Sequence, residues 1–76
     1  MMIMTNKVTI YVPLLGEDVF VSRPVKAIQV GEFKFEICAC STIPQDEDWE
    51  FQPGERVRCE MRRNGEGHYW LAVERI

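Results

Sequence analysis

Pro53-Gly54 stands directly before a stretch in which apolar and charged residues alternate strictly: Val57, Cys59 and Met61 against Arg56, Arg58, Glu60 and Arg62. A period of two puts the two sets on opposite faces of an extended chain, so the stretch reads as a half-buried β-strand. Proline presets φ and glycine accepts a positive one, as the two central positions of a type II turn require. A strand with one dry face needs neighbours on its edges and a core beneath it. The rest of the chain supplies candidates for both.

Lys7 to Val12 alternates in the same way, with Val8, Ile10 and Val12 inward and Thr9 and Tyr11 outward. Pro13 stops the run, because proline cannot donate to a ladder. Leu14-Leu15-Gly16 then reads as an apolar connection plugging one end of the core. Asp18 to Val30 reads as a longer strand. Val19, Val21, Val25 and Ala27 share one parity and Ile28 and Val30 the other, so a β-bulge is expected near Lys26–Ala27. Gly31-Glu32 fits a two-residue hairpin loop, setting Val30 opposite Phe33 and Ile28 opposite Phe35, all inward. The third strand, Phe33 to Ser41, would bury Phe33, Phe35, Ile37 and Ala39 and turn Lys34, Glu36, Cys38 and Cys40 outward.

Ser41 to Gln52 is the long connection. Pro44 and the acids exclude a strand through its first half, while Trp49 and Phe51 stand two apart and can both point inward. The last strand is His68 to Ile76, and the loop before it decides which face is buried. A two-residue Asn64-Gly65 loop would leave Tyr69, Leu71 and Val73 on the arginine face. A loop of three or five residues pairs Met61 with Tyr69, Cys59 with Leu71 and Val57 with Val73, gathering the apolar side chains. The odd loop is therefore expected, with Gly67 supplying a left-handed residue. It turns Trp70 and His68 outward beside Arg56, Arg58 and Arg62.

Five strands without an amphipathic helical period predict an all-β fold: one domain over residues 1–76, a small, strongly bent five-stranded SH3-like barrel. Seventy-six residues leave room for only a modest core. The chain has no 20-residue apolar run and no signal-peptide pattern, so a cytoplasmic location with reduced thiols is expected. The net charge of −3 argues against a generally basic nucleic-acid binder. The charge is uneven: Asp46, Glu47, Asp48 and Glu50 form an acidic loop next to the arginine-rich strand.

The run FQPGERVRCE resembles the turn-plus-strand of SH3-like barrels found in translation proteins and KOW-type domains. The pieces YVPLLGED, VSRPVKA and DEDWEFQPGERVRC together are similar to a family of short uncharacterised bacterial proteins. That resemblance implies no activity. The strand motif and paired tryptophan of signalling SH3 domains are absent, so polyproline binding gains nothing from the likeness.

No catalytic constellation emerges. His68 is the single histidine, Cys59 is expected to be buried, and no nucleophile elbow or phosphate-cradling glycine motif is present. Cys38, Cys40, Cys59 and His68 would make a Cys₃His set, but the strand faces separate them and the spacing is not that of a zinc knuckle. No metal and no cofactor is expected, and the chain is read as a non-enzyme. Two surfaces remain as binding candidates. One is the outer face carrying Arg56, Arg58, Arg62, His68 and Trp70; the other is the acidic docking loop Asp46, Glu47 and Asp48. The expected function is a non-catalytic interaction module for a protein partner or a second copy. The alternative is weak RNA or single-stranded nucleic-acid binding through the arginine/tryptophan face. No membrane partner is expected.

Overall fold

When five consecutive strands alternate in direction, the first and last point the same way, so closing the sheet demands one parallel pair. The computed structural model, which describes residues 7–76, shows this arrangement. Strands β1 (Lys7–Pro13), β2 (Ser22–Gln29), β3 (Lys34–Ile37), β4 (Arg56–Asn64) and β5 (Gly67–Arg75) form a closed barrel in chain order. The closing β1–β5 pair is parallel and short: Ile10↔Trp70 and Tyr11↔Leu71. The protein is thus an all-β, five-stranded barrel of SH3-like form. No helix in the described residues is long and apolar enough to cross a membrane.

The core follows the inward parity of each strand. Ile10, Val12, Val25, Ala27, Phe35, Ile37, Val57, Cys59 and Ala72 are buried together. Trp49 and Phe51 close the cluster from the long connection, at 4% and 2% exposure. Backbone hydrogen bonds pin that connection across the end of β1: Leu15 N donates to Asp48 O (2.7 Å) and Glu50 N to Pro13 O (2.9 Å). Leu14 bridges to Trp49 and packs on the core, whereas Leu15 is half exposed, so one leucine of the pair serves as the plug. The Pro53-Gly54 turn forms as expected, with Glu55 N donating to Gln52 O (3.1 Å) and Gly54 at φ +89°.

The second strand departs from expectation. It starts at Ser22, and its register with β1 runs unbroken from Lys7↔Ile28 to Pro13↔Ser22, with no bulge at Lys26–Ala27. The parity conflict is resolved by exposure instead. Val25 and Ala27 take the core, Ile28 is partly exposed, and Val19, Phe20 and Val30 stand in solvent. Keeping Ala27 inward requires Ala27↔Ile37 and Gln29↔Phe35, one residue away from the expected pairing. The turn accordingly holds three residues, Gly31–Phe33, with Val30 N bonded to Lys34 O (2.8 Å). Phe33 and Ala39, both expected inside, are exposed.

A bulge does occur, but in β5. The β4–β5 register shifts between Arg58↔Glu74 and Cys59↔Ala72, leaving Val73 without a partner. An extra residue on one strand bends it and sharpens its twist. Leu71 and Ala72, adjacent in sequence, are both buried but on opposite faces: Ala72 lies in the core opposite Cys59, while Leu71 stands on the outer face opposite Glu60 and pairs with Tyr11 of β1.

Candidate docking surface

The β4–β5 hairpin sets the geometry of the surface. Its loop is Gly65-Glu66, flanked by the Asn64↔Gly67 pair, and the side chain of Asn64 accepts from Glu66 N (2.8 Å). The expected odd loop is therefore overturned. The asparagine side chain caps a two-residue turn one position later than Asn64-Gly65, and Gly67 takes the positive φ (+138°). Met61 faces Trp70, Arg62 faces Tyr69, and Arg63 faces His68.

This register divides the five sequence-predicted residues between two faces. Arg56, Arg58 and Arg62 share the outer face with Tyr69, which meets Tyr11 edge-on at 5.2 Å between ring centroids. Trp70 does not join them. It packs against the core, 5.1 Å from the Phe35 ring and 5.9 Å from Phe33, and is only partly exposed. His68 lies on the same face as Trp70. The arginine/tryptophan outer face thus does not form, because two-residue loop parity carries the indole to the opposite side.

The outer arginines are tied into ion pairs. Arg56 Nε donates to Glu36 (3.0 Å), Arg58 to Glu74 (2.5 Å) and Glu60 (3.4 Å), and Arg62 to Glu60 (2.8 Å). Hydrogen bonds from Arg62 first, and Arg58 after it, hold the Glu60 carboxyl below its ordinary value, and Glu74 raises Arg58. Exposed pairs of this kind add little stability, but they leave few free charges on that face.

The acidic loop is likewise divided. Glu47 turns inward to bond Arg23 and to accept from Trp49 Nε1 (3.1 Å), which depresses its carboxyl pKa. Asp46 and Asp48 remain exposed. Glu47 therefore fixes the loop and holds Trp49, leaving two of the three residues free for docking.

What the structure gathers instead is a face at the end of the barrel where β4 outruns β3. Sheet pairing of β3 with β4 ends at Lys34↔Arg58, and the last bond is Cys59 N to Phe33 O (2.8 Å). From Glu60 to Asn64, β4 has β5 on one side and no strand among the described residues on the other. Because the Cys59 N–H points toward β3, alternation turns the backbone groups of Met61 and Arg63 to that open side. Met61 and Phe33 are 46% and 48% exposed. They line a groove of about 340 Å³ with Arg58, Cys59 and Glu60. Arg63, on the Met61 face, has no ion-pair partner among the described residues. The signal for this site was present in the sequence as Met61 and Trp70. Reading it required the even loop.

The cysteines are also rearranged. Cys59 is buried, and desolvation pushes its thiol up to about 12. Cys38 and Cys40, expected as free thiols, are joined by a disulfide. β3 ends at Ile37, and Ser41 N bonds to Cys38 O (3.0 Å), so a turn replaces the extended chain. In a strand the two Cα atoms would stand roughly 6.7 Å apart; the turn brings them to 5.2 Å, well inside bridging range. Among the described residues no group of three His, Cys, Asp or Glu side chains is placed to hold a metal.

Comparison with protein-family models, with curated proteins and with solved structures returns no match.

Proposed function

We propose that this barrel is a non-catalytic interaction module that binds an extended segment of a partner protein along the open edge of β4. The observation that carries the reading is the free backbone of Met61 and Arg63 lying beside the exposed Phe33–Met61 pair. An added strand would gain main-chain hydrogen bonds from the edge and side-chain selectivity from the groove. The occupant is one with an apolar residue opposite Met61 and a carboxylate opposite Arg63.

A second copy fits less well. Antiparallel pairing of two β4 edges within the free stretch sets Arg62 against Arg62 or Arg63 against Arg63, and like charges directly opposite are destabilising. Registers that avoid this run into Phe33. Nucleic acid is also disfavoured, since Trp70 packs on Phe35 and the outer arginines are paired. A cytoplasmic location belongs to the same proposal, and the Cys38–Cys40 bond fits it as a redox-active pair rather than as a structural staple.

The test is selection from an unbiased displayed library of short peptides. Enriched sequences are expected to place carboxylates and apolar residues two apart. Their binding should be lost in Met61→Pro, which removes an edge N–H that β5 does not use, and weakened in Phe33→Ser. Enrichment unaffected by both variants would sink the reading. So would a concentration-dependent dimer that Met61→Pro dissolves, or tight binding of mixed single-stranded oligonucleotides at low salt.

A further inference from the structure

Cys38 and Cys40 enclose one residue, Ala39, in a turn at the end of β3. As a structural staple this bond achieves little. A cross-link stabilises mainly by restricting the unfolded chain, and a loop this short restricts it least. Nor does the bond belong to the core, since Cys40 is exposed and Cys38 half-buried.

The surroundings suit chemistry better than support. Lys7 Nζ lies 4.0 Å from Cys40 Sγ, and an ammonium at that distance favours the thiolate over the thiol. Cys38 is fixed by two backbone bonds, its own N to Lys26 O (2.9 Å) and its carbonyl from Ser41 N (3.0 Å). One sulfur is therefore open and activated while its partner is held one residue away. Ser41, next in sequence after Cys40, opens a groove of about 270 Å³ that runs along Lys26, Thr42 and Pro44 to Trp49. The third cysteine stays out of the reaction, because Cys59 is enclosed in the core.

We propose that Cys38 and Cys40 form a thiol–disulfide exchange site for small anionic peptide disulfides of the glutathione type. In the reduced protein, the Cys40 thiolate attacks one sulfur of the substrate disulfide. The substrate S–S bond breaks, a mixed disulfide forms at Cys40, and the departing thiolate takes a proton from solvent. Cys38 then gives up its proton and attacks the Cys40 sulfur. The second substrate thiolate leaves and is protonated, and the Cys38–Cys40 bond closes. Two electrons pass from the protein dithiol to the substrate disulfide, and the two thiol protons end on two substrate thiols. Excess substrate thiol drives the reverse. Lys7 contributes twice, by favouring the attacking thiolate and by attracting the substrate carboxylates.

The probe is oxidised glutathione added to the reduced full chain at neutral pH, followed by intact mass spectrometry. The wild-type protein is expected to lose two hydrogens and retain no glutathione. Cys38→Ser should trap one glutathione on Cys40, and Cys40→Ser should acquire it at least tenfold more slowly. Lys7→Ala, placed in the Cys38→Ser background, should slow trapping about threefold, and Lys7→Arg should restore it. Brief alkylation of the reduced wild type gives the same ordering without a serine variant, with Cys40 labelled well before Cys38. Equal trapping rates in the two serine variants would overturn the proposal. A wild-type protein that keeps glutathione without closing its ring, or thiols no faster than those of the urea-unfolded chain, would overturn it equally.

Discussion

Met61 stands opposite Trp70 across the β4–β5 hairpin, and this pairing carries the indole over Phe35. Trp70 is thereby a roof over the lower core rather than an exposed platform. Trp70→Ala should cost about 2–4 kcal/mol, somewhat below the usual range for a fully enclosed tryptophan because the ring is partly exposed. Urea denaturation measures it: the midpoint should fall with the slope unchanged. A loss below about 0.5 kcal/mol, the usual scale for a solvent-facing substitution, would mean that the ring does not pack as described.

The two glycines at turns on either side of β4 should respond oppositely to the same change. Gly54 has φ +89° and open space around its missing Cβ, so Gly54→Ala meets backbone strain alone and should cost about 1 kcal/mol. Gly65 has open space and no positive φ. Gly65→Ala should be neutral to mildly stabilising through the unfolded chain. Paired thermal melts of the two variants decide the matter, and equal effects would contradict the turn geometries.

Acid should loosen the long connection. Glu47 is held below its ordinary 4.5 by hydrogen bonds from Arg23 and Trp49, and Glu55 by Arg75 and the Gln52 N–H. Each carboxyl binds its proton less readily folded than unfolded. Their contribution is therefore fully present above the ordinary carboxylate range and is lost as pH falls through the lowered folded values. Denaturation midpoints should hold from neutrality to about pH 5 and then decline. Glu47→Gln keeps an acceptor for the indole but cannot titrate, so its decline should be shallower, with a lower plateau at neutral pH. An unchanged slope would show that Glu47 is not part of the acid response.

The number of strands and most of the core were legible because each strand has one wet and one dry face. Ile10, Val12, Phe35, Ile37, Val57 and Cys59 follow from alternation alone. Trp49 and Phe51 follow from their spacing. Register was not legible, because loop parity trades against side-chain burial. At both hairpins the expectation chose the loop that hid the most apolar surface, whereas the chain leaves Val30, Phe33 and Met61 exposed. Phe33 and Met61 among them line the proposed docking groove, so maximising burial erased the very signal on which the proposed function rests. The burial of Leu71 was equally illegible, since it stands on the outer face opposite Glu60 and pairs with Tyr11 of β1, where closure of the barrel rather than a period of two decides exposure.

Cys59 offers a probe of the whole barrel. It sits between Val57 and the open end of β4, it is 1% exposed, and desolvation raises its thiol to about 12. Alkylation needs the thiolate and access to it, and the folded state withholds both. In a Cys38→Ser/Cys40→Ser background, iodoacetamide at about pH 8 should label Cys59 only through opening of the β3–β4 pair or the entire fold. The rate should then rise with urea in step with the global transition, because Cys59 N is bonded to Phe33 and its side chain belongs to the central cluster. Phe33→Ser keeps the carbonyl that accepts from Cys59 N but removes the ring that lines the groove over Cys59 and packs on Trp70, so it should accelerate labelling in the absence of urea while leaving the midpoint nearly unchanged. If Cys59 is labelled as fast as an unfolded thiol in the native protein, the core described around it is incorrect.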